Sequence, residues 1–179
     1  YLGILWIPPD YKVSCKIPFI PTEAELDLLI ANMGKTLQAL LQLLKETGMR
    51  VGEALRLKWT DVDFERRTVR ISPEKGSLPR ILPLSETAIA MLKRIPKKAE
   101  KIFPSRNVAQ TIFYRRRKQL AYKLNNPRLL KIGFHTFRHW KGTMEYHKTK
   151  DIIHVKELLG HRNIQNTLIY ITIEKALFQ

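Results

Sequence analysis

In this chain of 179 residues, residues 47–55 read TGMRVGEAL and residues 57–63 read LKWTDVD. Glycine often ends helices because it adopts the left-handed conformation freely. Gly48 therefore predicts the end of a helix whose leucines recur at helical spacing over 37–44. The residues after it predict a short helix that carries Glu53. Beyond this helix the apolar residues recur at every second position, which is the spacing of a strand. The stretch thus joins a helical part of the chain to a sheet.

The sequence on either side of this stretch predicts helices around a small sheet. Upstream, Thr22 and Glu25 form a capping-box pattern that starts a helix. Downstream, the alternation of apolar residues predicts short strands at 62–64, 68–72 and 80–84. Further helices are predicted from Ser85 to before Pro96 and over 107–123, 136–147, 152–159 and 164–169. We expect an α+β fold that is mainly α, with a three-stranded antiparallel sheet.

The chain is predicted to contain one domain after a leading linker. Residues 1–21 are apolar and hold four of the ten prolines, which is typical of a linker rather than of a helix or strand. From residue 22 onward no linker of more than a few residues interrupts the predicted elements. We therefore expect residues 1–21 to be a linker segment and residues 22–179 to fold together.

The charge pattern favours a polyanion as partner. Lys and Arg number 32 against 16 Asp and Glu, a net charge of +16. Eleven of the Lys and Arg residues fall between Lys101 and Met144, a window without any Asp or Glu. A basic surface that binds nucleic acid releases counterions from it. This release favours binding and makes the affinity for nucleic acid depend on the salt concentration. The alternatives are a solvated basic face or an acidic membrane surface.

The same composition excludes several other classes of protein. The single Cys15 rules out an internal disulfide and a cysteine-rich zinc site. No apolar run approaches the roughly 20 residues of a membrane span, and no signal peptide is recognised. A zinc site built from the five histidines is also disfavoured, because the His-Glu-x-x-His pattern is absent. We expect a cytoplasmic protein that needs no metal and no other cofactor.

Five motifs occur in an order that indicates a family. After the 47–63 stretch come Lys75-Gly76 with RILPL at 80–84, HTFRH at 135–139, LLGH at 158–161, and Tyr170 nine residues later. Together they resemble the catalytic domain of the tyrosine recombinases, the integrase-like site-specific recombinases, over about residues 21–173. The N-terminal DNA-clamping domain usual in that family is absent from this chain. The high Lys and Arg content is most similar to that of integrases of archaeal viruses or plasmids, such as the spindle-shaped viruses.

The resemblance implies six catalytic residues: Arg50, Lys75, His135, Arg138, His161 and Tyr170. Arg50 and Arg138 would hold the phosphate that is cut, because a guanidinium binds two phosphate oxygens and stays charged. The alternative for Arg50 is an ion pair with Glu53, three residues away on a helix. Tyr170 would be the nucleophile, and its alternative is an aromatic residue of the core.

The remaining candidates would move protons or bind phosphate. His135 would take the tyrosine proton as general base, and His161 would hydrogen-bond the phosphate. Lys75, on a β-hairpin, would protonate the departing 5′-oxygen. The alternatives are helix packing for the histidines and a solvated turn for the lysine. His139, His147 and His154 are assigned to packing or capping.

Other basic residues are expected to contact the DNA backbone. The run Arg115-Arg116-Arg117-Lys118 lies on a predicted helix, where at most two of the four side chains can face one groove. Lys141 is included because it follows the second arginine motif. A solvated face is the alternative for this set.

The sequence therefore predicts a recombinase domain that cuts and rejoins duplex DNA. The expected role is integration or excision of a mobile genome, such as that of a virus, by a dimer or tetramer on DNA. Only nine residues follow Tyr170, so cyclic assembly through a C-terminal helix is in doubt. A type IB topoisomerase-like relaxase and a non-catalytic DNA-binding module are the alternatives. Whether Tyr170 acts in its own site or in a neighbour's is left open.

Overall fold

The computed structural model describes residues 17–74 and 76–178. Lys75, Cys15 and most of the predicted linker over 1–21 lie outside the described residues. The described elements are α1 (Glu23–Ala31), α2 (Lys35–Thr47), α3 (Val51–Leu55), β1 (Val62–Asp63), β2 (Thr68–Ile71), β3 (Arg80–Pro83), α4 (Glu86–Lys93), α5 (Arg106–Lys123), α6 (Phe134–Thr149), α7 (Ile152–Leu159) and α8 (Gln165–Phe178). Two short 3₁₀ turns, Trp59–Asp61 and Pro127–Lys131, precede β1 and α6. The predicted α+β fold, mainly α, is confirmed.

Helix α2 lies at the centre of the fold. It packs against α1, α4 and α6, and Leu40, Leu41 and Leu44 on it are fully buried. It ends at Gly48, whose φ of 62° is the left-handed conformation expected from the sequence. The chain then turns directly into α3, so Arg50 stands at the junction of two helices.

The capping box predicted at the start of α1 is present. Glu25 N–H donates to Thr22 Oγ1 (3.2 Å), and Thr22 N–H donates to the Glu25 carboxylate (2.9 Å). The reciprocal bonds satisfy donors that the first helical turn leaves free. The same carboxylate also accepts from Arg128, which fixes the 3₁₀ turn before α6 against α1.

The sheet has three antiparallel strands in the order β1-β2-β3. Val69, Ile71 and Leu82 bury one face of it in the core. The loop between β2 and β3 reaches the end of α7, where Leu78 N–H donates to the Gly160 carbonyl (3.0 Å). The predicted hairpin is therefore joined to the LLGH motif at a distance of about eighty residues in sequence.

Two helices, α6 and α8, differ from the sequence prediction by more than one residue at an end. Helix α6 begins at Phe134 rather than at 136, because Thr136 Oγ1 accepts from Gly133 N–H at its start. Helix α8 runs to Phe178 rather than ending at 169. Helix α8 continues because Ile173 and Glu174 are buried, and Glu174 pairs with His147 in α6 and with Lys150 just after α6.

Within the described ranges, no helix has the length and apolar character that crossing a membrane requires.

Candidate active site

Arg138 is held at the meeting point of two helix ends. Its side chain on α6 is buried, and it donates to the carbonyls of Gly48 (2.7 Å) and Leu159 (2.9 Å). Both carbonyls belong to helix C-termini, where the partial charge is negative. Burial lowers the pKa of the Arg138 guanidinium to about 10, so the group stays charged at neutral pH. The arginine is thus fixed by backbone oxygens and not by a carboxylate.

Arg50 is fixed through its backbone rather than its side chain. It is the N-cap of α3, in extended conformation, and its N–H donates to the Glu53 carboxylate (2.9 Å). Its Nη1 is buried and makes no hydrogen bond within the part of the chain that the structure describes. Buried donors are nearly always paired. This nitrogen therefore lacks the partner that a buried donor needs, and an anionic oxygen is a chemically suitable partner for it.

The Glu53 side chain belongs to a buried ion pair with Arg80 of β3. The Arg80 Nη2 and Glu53 Oε2 atoms are 2.9 Å apart, with exposed side-chain fractions of 7% and 0%. Glu53 also accepts from Ser77 Oγ (2.7 Å). Burial opposes ionisation of Glu53, but the hydrogen bond and charge of Arg80 hold its pKa below the usual value. Arg80 Nε donates to the Leu158 carbonyl (2.9 Å), so this network joins α3, the hairpin and the end of α7.

His161 follows α7 and is buried beside the arginines. Its Nδ1 lies 2.9 Å from Thr167 Oγ1 on α8. Burial, together with the charges of Arg138, Arg50 and Arg80, lowers the His161 pKa to about 4. The imidazole is therefore neutral at neutral pH.

His135 lies at the more open side of the same cluster. It is in the first turn of α6 and is exposed to solvent. Partial burial and the charges of Arg106, Arg138 and Arg50 lower its pKa. A neutral imidazole in reach of solvent has the capacity to accept a proton.

Tyr170 packs into the interior with its ring against α6. The residue is 2% exposed, and a Cβ built on Gly142 would lie 2.5 Å from its Cζ atom. Burial raises the pKa of the Tyr170 phenol to about 12, and the charges of Arg138 and Arg50 act in the opposite direction. The ring of His139 is 6.2 Å away, centroid to centroid.

The structure therefore brings together five of the six predicted catalytic residues: Arg50, His135, Arg138, His161 and Tyr170. The sixth, Lys75, lies outside the described residues. Its neighbours are placed at this site, because Ser77 pairs with His161 in a β-bridge and the Glu74 carboxylate pairs with Arg56 (3.0 Å). A Cβ on Gly52 would lie 1.8 Å from Glu74 Oε1, so this glycine makes room for the carboxylate of the Glu74 side chain.

The predicted DNA-contacting residues divide into exposed and packed side chains. Arg115, Arg116 and Lys118 are exposed on α5. Arg117 instead lies over the ring of Tyr114, 4.6 Å from its centroid, and donates to the Ile132 carbonyl.

Among residues 17–74 and 76–178, no three His, Cys, Asp or Glu side chains are grouped so as to hold a metal ion.

Lys141 is also engaged within the protein. Its Nζ lies 2.7 Å from the Glu145 carboxylate one helical turn later, and its side chain is 21% exposed. Glu145 in turn accepts from His154 on α7 (3.1 Å). His154 is predicted to have a packing role, and in the structure it joins α7 to α6 through this polar contact.

Sequence reasoning missed four residues that organise the site: Glu53 and Arg80, which pair, and Gly142 and Thr167, which contact Tyr170 and His161. The pair is hard to foresee because its members are 27 positions apart, and Arg80 was visible only as part of the RILPL strand. Gly142 carried a usable signal, since glycine is unfavourable in a helix interior by about 1 kcal/mol relative to alanine. A glycine there suggests close packing of another group.

The chain matches the model of the phage integrase family over residues 21–176. It is 30% identical over 171 residues to a tyrosine recombinase of Thermosipho africanus, covering 90% of this chain and 60% of that protein. It is also 30% identical to tyrosine recombinase XerA of Saccharolobus solfataricus, covering 91% and 55% of the two chains. The chain thus spans about 60% of the length of the curated relatives it matches.

A solved structure has the same fold and a related sequence. The crystal structure of XerH recombinase bound to palindromic difH substrate, a post-cleavage complex, superimposes with a TM-score of 0.69 at 27% identity. The match covers 90% of this chain and 51% of that one.

Proposed function

Since the chain belongs to the phage integrase family, we propose that it is the catalytic part of a site-specific tyrosine recombinase that cleaves and rejoins duplex DNA. One observation carries the proposal. Tyr170 is held beside Arg138 and Arg50, whose charges act on its phenol, and Arg50 has a buried guanidinium nitrogen that no described residue satisfies. A nucleophile and an anion site therefore occur together.

Cleavage in this site is a transesterification, in which the ester bond between phosphorus and the 5′-oxygen is replaced by one between phosphorus and tyrosine. Tyr170 Oη attacks phosphorus, its proton passes to His135, and a 3′-phosphotyrosine bond forms while the bond to the 5′-oxygen breaks. The leaving 5′-oxygen takes a proton from Lys75, so a free 5′-hydroxyl results. The reverse of these steps, with a new 5′-hydroxyl as nucleophile, rejoins a strand without an external energy source.

The surroundings of each group suit its role. The phenol has a pKa of about 12 in the free protein, so attack requires a base that removes the proton as the bond forms. His135 is available because its pKa is lowered and it is therefore unprotonated at neutral pH. Arg50, Arg138 and His161 stabilise the negative charge that grows on the non-bridging oxygens in the transition state.

Tyr170 is proposed to act in its own chain's active site. Its ring rests on Gly142 of the same chain, one turn after Arg138 on the same helix. A nucleophile donated to a neighbour would have to leave this packing. Because burial of an aromatic side chain contributes several kcal/mol, the packed position is the one favoured in the free protein.

The partners and setting follow from the same proposal. The substrate is duplex DNA carrying attachment sites, bound by a dimer or tetramer of the full-length protein. The net charge of +16 and the exposed Arg115, Arg116 and Lys118 on α5 support this substrate. The reaction would integrate or excise a mobile genome in the cytoplasm of its host. The relatives named tyrosine recombinases support this activity over that of a non-catalytic module.

The test is covalent trapping on a nicked duplex. Because the target sequence is undefined, the probe is a pool of duplexes with a randomised core and a nick that releases a short 5′-hydroxyl fragment after cleavage. The proposal predicts an SDS-resistant protein–DNA adduct that forms in excess EDTA and is lost in Tyr170→Phe. Tyr114→Phe, which alters an exposed tyrosine on α5, is the matched control and should retain the adduct.

Several results would contradict the proposal. An absence of adduct with the unmodified chain, despite DNA binding, would identify a non-catalytic module. Activity that requires magnesium would indicate a metal-dependent nuclease. Relaxation of supercoiled DNA without strand joining between two duplexes would identify a relaxase instead of a recombinase.

A further inference from the structure

A fully buried threonine contacts the phosphate-binding histidine from the helix that carries the nucleophile. Thr167 is 0% exposed and lies in the first turn of α8, three residues before Tyr170. Its Oγ1 is 2.9 Å from His161 Nδ1. Within the described residues this is the only side-chain hydrogen bond that the Thr167 hydroxyl makes.

The contact determines which nitrogen of His161 carries the proton. A buried hydroxyl donates its hydrogen where an acceptor is in reach, and the partner that the structure gives to Thr167 is the Nδ1 atom. A nitrogen that accepts a hydrogen bond is unprotonated, so in the neutral ring the proton is on Nε2. His161 Nε2 makes no hydrogen bond to any described residue. Its N–H is therefore a donor without a partner within the described part of the protein.

We propose that Thr167 is a positioning residue that fixes His161 as the Nε2–H tautomer, so that its ring donates to a non-bridging oxygen of the DNA phosphate. The inference rests on the proposed function, because it assigns a phosphate to this site. The opposite tautomer would turn a lone pair toward the phosphate and repel it. One hydroxyl thus decides whether the neutral ring attracts or repels the anion.

The position of Thr167 also couples binding to attack. Thr167 and Tyr170 are three residues apart on one helix, so they share a face. A shift of α8 that moves the Tyr170 hydroxyl also moves the group that orients His161. The structure therefore links the phosphate-binding ring to the nucleophile through a single turn of α8.

The tautomer is measured first, in the chain without DNA. With ¹⁵N-labelled histidine, long-range ¹H–¹⁵N correlation spectra distinguish protonated from unprotonated ring nitrogens, and His161→Gln assigns the signals. The expected pattern for His161 is unprotonated Nδ1 and protonated Nε2. Thr167→Ser should preserve this pattern, whereas Thr167→Val, of nearly the same shape, should lose it. A protonated Nδ1 in the unmodified chain would overturn the inference.

The second measurement is single-turnover cleavage of the nicked duplex pool. Thr167→Val should slow cleavage by roughly 10- to 100-fold, by analogy with the loss that follows removal of the hydrogen-bond partner that orients a metal-ligating histidine. DNA affinity should fall far less than the cleavage rate, because Arg50 and Arg138 are also proposed to hold the phosphate, and Thr167→Ser should restore the rate to within about threefold. The matched control is Thr143→Val, since Thr143 is also 0% exposed but its hydroxyl has no partner among the described residues.

The outcomes separate this inference from the proposed function. If the unmodified chain forms no adduct, the proposed function fails, and the tautomer spectra still report on His161. If the adduct forms but Thr167→Val cleaves as fast as Thr167→Ser, only the positioning role fails. If Thr167→Val does not fold, the spectrum of the unmodified chain and that of Thr167→Ser still decide the tautomer.

Discussion

The ring of Tyr170 lies directly on Gly142. A Cβ built on this glycine would be 2.5, 2.7 and 2.8 Å from the Cζ, Cε1 and Cε2 atoms of the ring, distances shorter than real carbon contacts allow. Gly142 is four residues after Arg138 on α6, so both face the same side of the helix. One face of α6 therefore supplies Arg138, which is proposed to bind phosphate, and the surface on which Tyr170, the proposed nucleophile, rests.

Gly142→Ala should slow DNA cleavage at least about tenfold with little loss of DNA affinity, because overpacking displaces neighbouring groups and here the displaced group is the ring of Tyr170, the proposed nucleophile. The gain in helix propensity, about 1 kcal/mol, should partly offset the clash in the free energy of unfolding. Single-turnover cleavage and filter binding measure the two effects. Gly34→Ala is the control, since a Cβ there meets nothing within 4 Å. Equal cleavage rates for the two variants would show that the ring does not depend on Gly142.

Glu53→Gln should destabilise the protein by about 3 kcal/mol, because it leaves the buried Arg80 guanidinium without a counter-charge. The Arg80 and Glu53 side chains are nearly inaccessible and 2.9 Å apart. Glu86→Gln is the matched control, since its pair with Arg67 has exposed side-chain fractions of 51% and 85% and should contribute about 1 kcal/mol or less. Denaturant unfolding measures both variants. Similar losses would mean that the buried pair is not the link between α3 and the hairpin.

Stability should fall with acid partly through His161. Its folded pKa of about 4 is below the ordinary 6.5, so between these values the unfolded chain binds more protons than the folded one. The contribution is fully present above pH 6.5 and is lost as the pH falls toward 4. Comparison with His161→Gln should show a difference in pH dependence on the order of 1–3 kcal/mol across that window. His135 and His139 shift in the same direction and are present in both proteins, so parallel curves would contradict the assignment to His161.

Lys75 should matter only for expelling the leaving group. A 5′-alkoxide needs a proton as its bond to phosphorus breaks, whereas a thiolate at the same position, from an acid with a pKa near 8.5, does not. Lys75→Ala should therefore cleave ordinary DNA slowly and regain most of its rate on DNA with sulfur as the bridging 5′ atom. Arg50→Ala should not be rescued, because its charge acts on the non-bridging oxygens. Equal defects of Lys75→Ala on both substrates would reduce Lys75 to a DNA contact.

Local motifs named residues that the fold brings close together. Arg50, His135, Arg138, His161 and Tyr170 form one cluster, because their motifs lie at ends and faces of helices that the apolar periodicity also identifies, and their catalytic roles are the proposal tested below. The sequence does not reveal which groups hold these residues.

Arg50 and Glu53 illustrate the limit. Their spacing of three suggests a side-chain ion pair on one helix, but Arg50 is the N-cap and offers its backbone N–H to Glu53. The guanidinium that pairs with the Glu53 carboxylate belongs instead to Arg80, on a strand 27 residues later. Such a partner depends on tertiary packing, which local spacing does not report. Arg117 is a similar case, since its position in a basic run gives no sign that it lies over Tyr114.

The most direct test of the account is the identity of the residue that carries DNA after cleavage. The adduct trapped on the nicked duplex is digested with protease and nuclease, and the peptide bearing a nucleotide is sequenced by mass spectrometry. We expect the nucleotide on Tyr170 through its 3′-phosphate, and on that residue alone. A nucleotide on Tyr146, Tyr114 or any other residue would contradict the assignment of Tyr170 as the nucleophile.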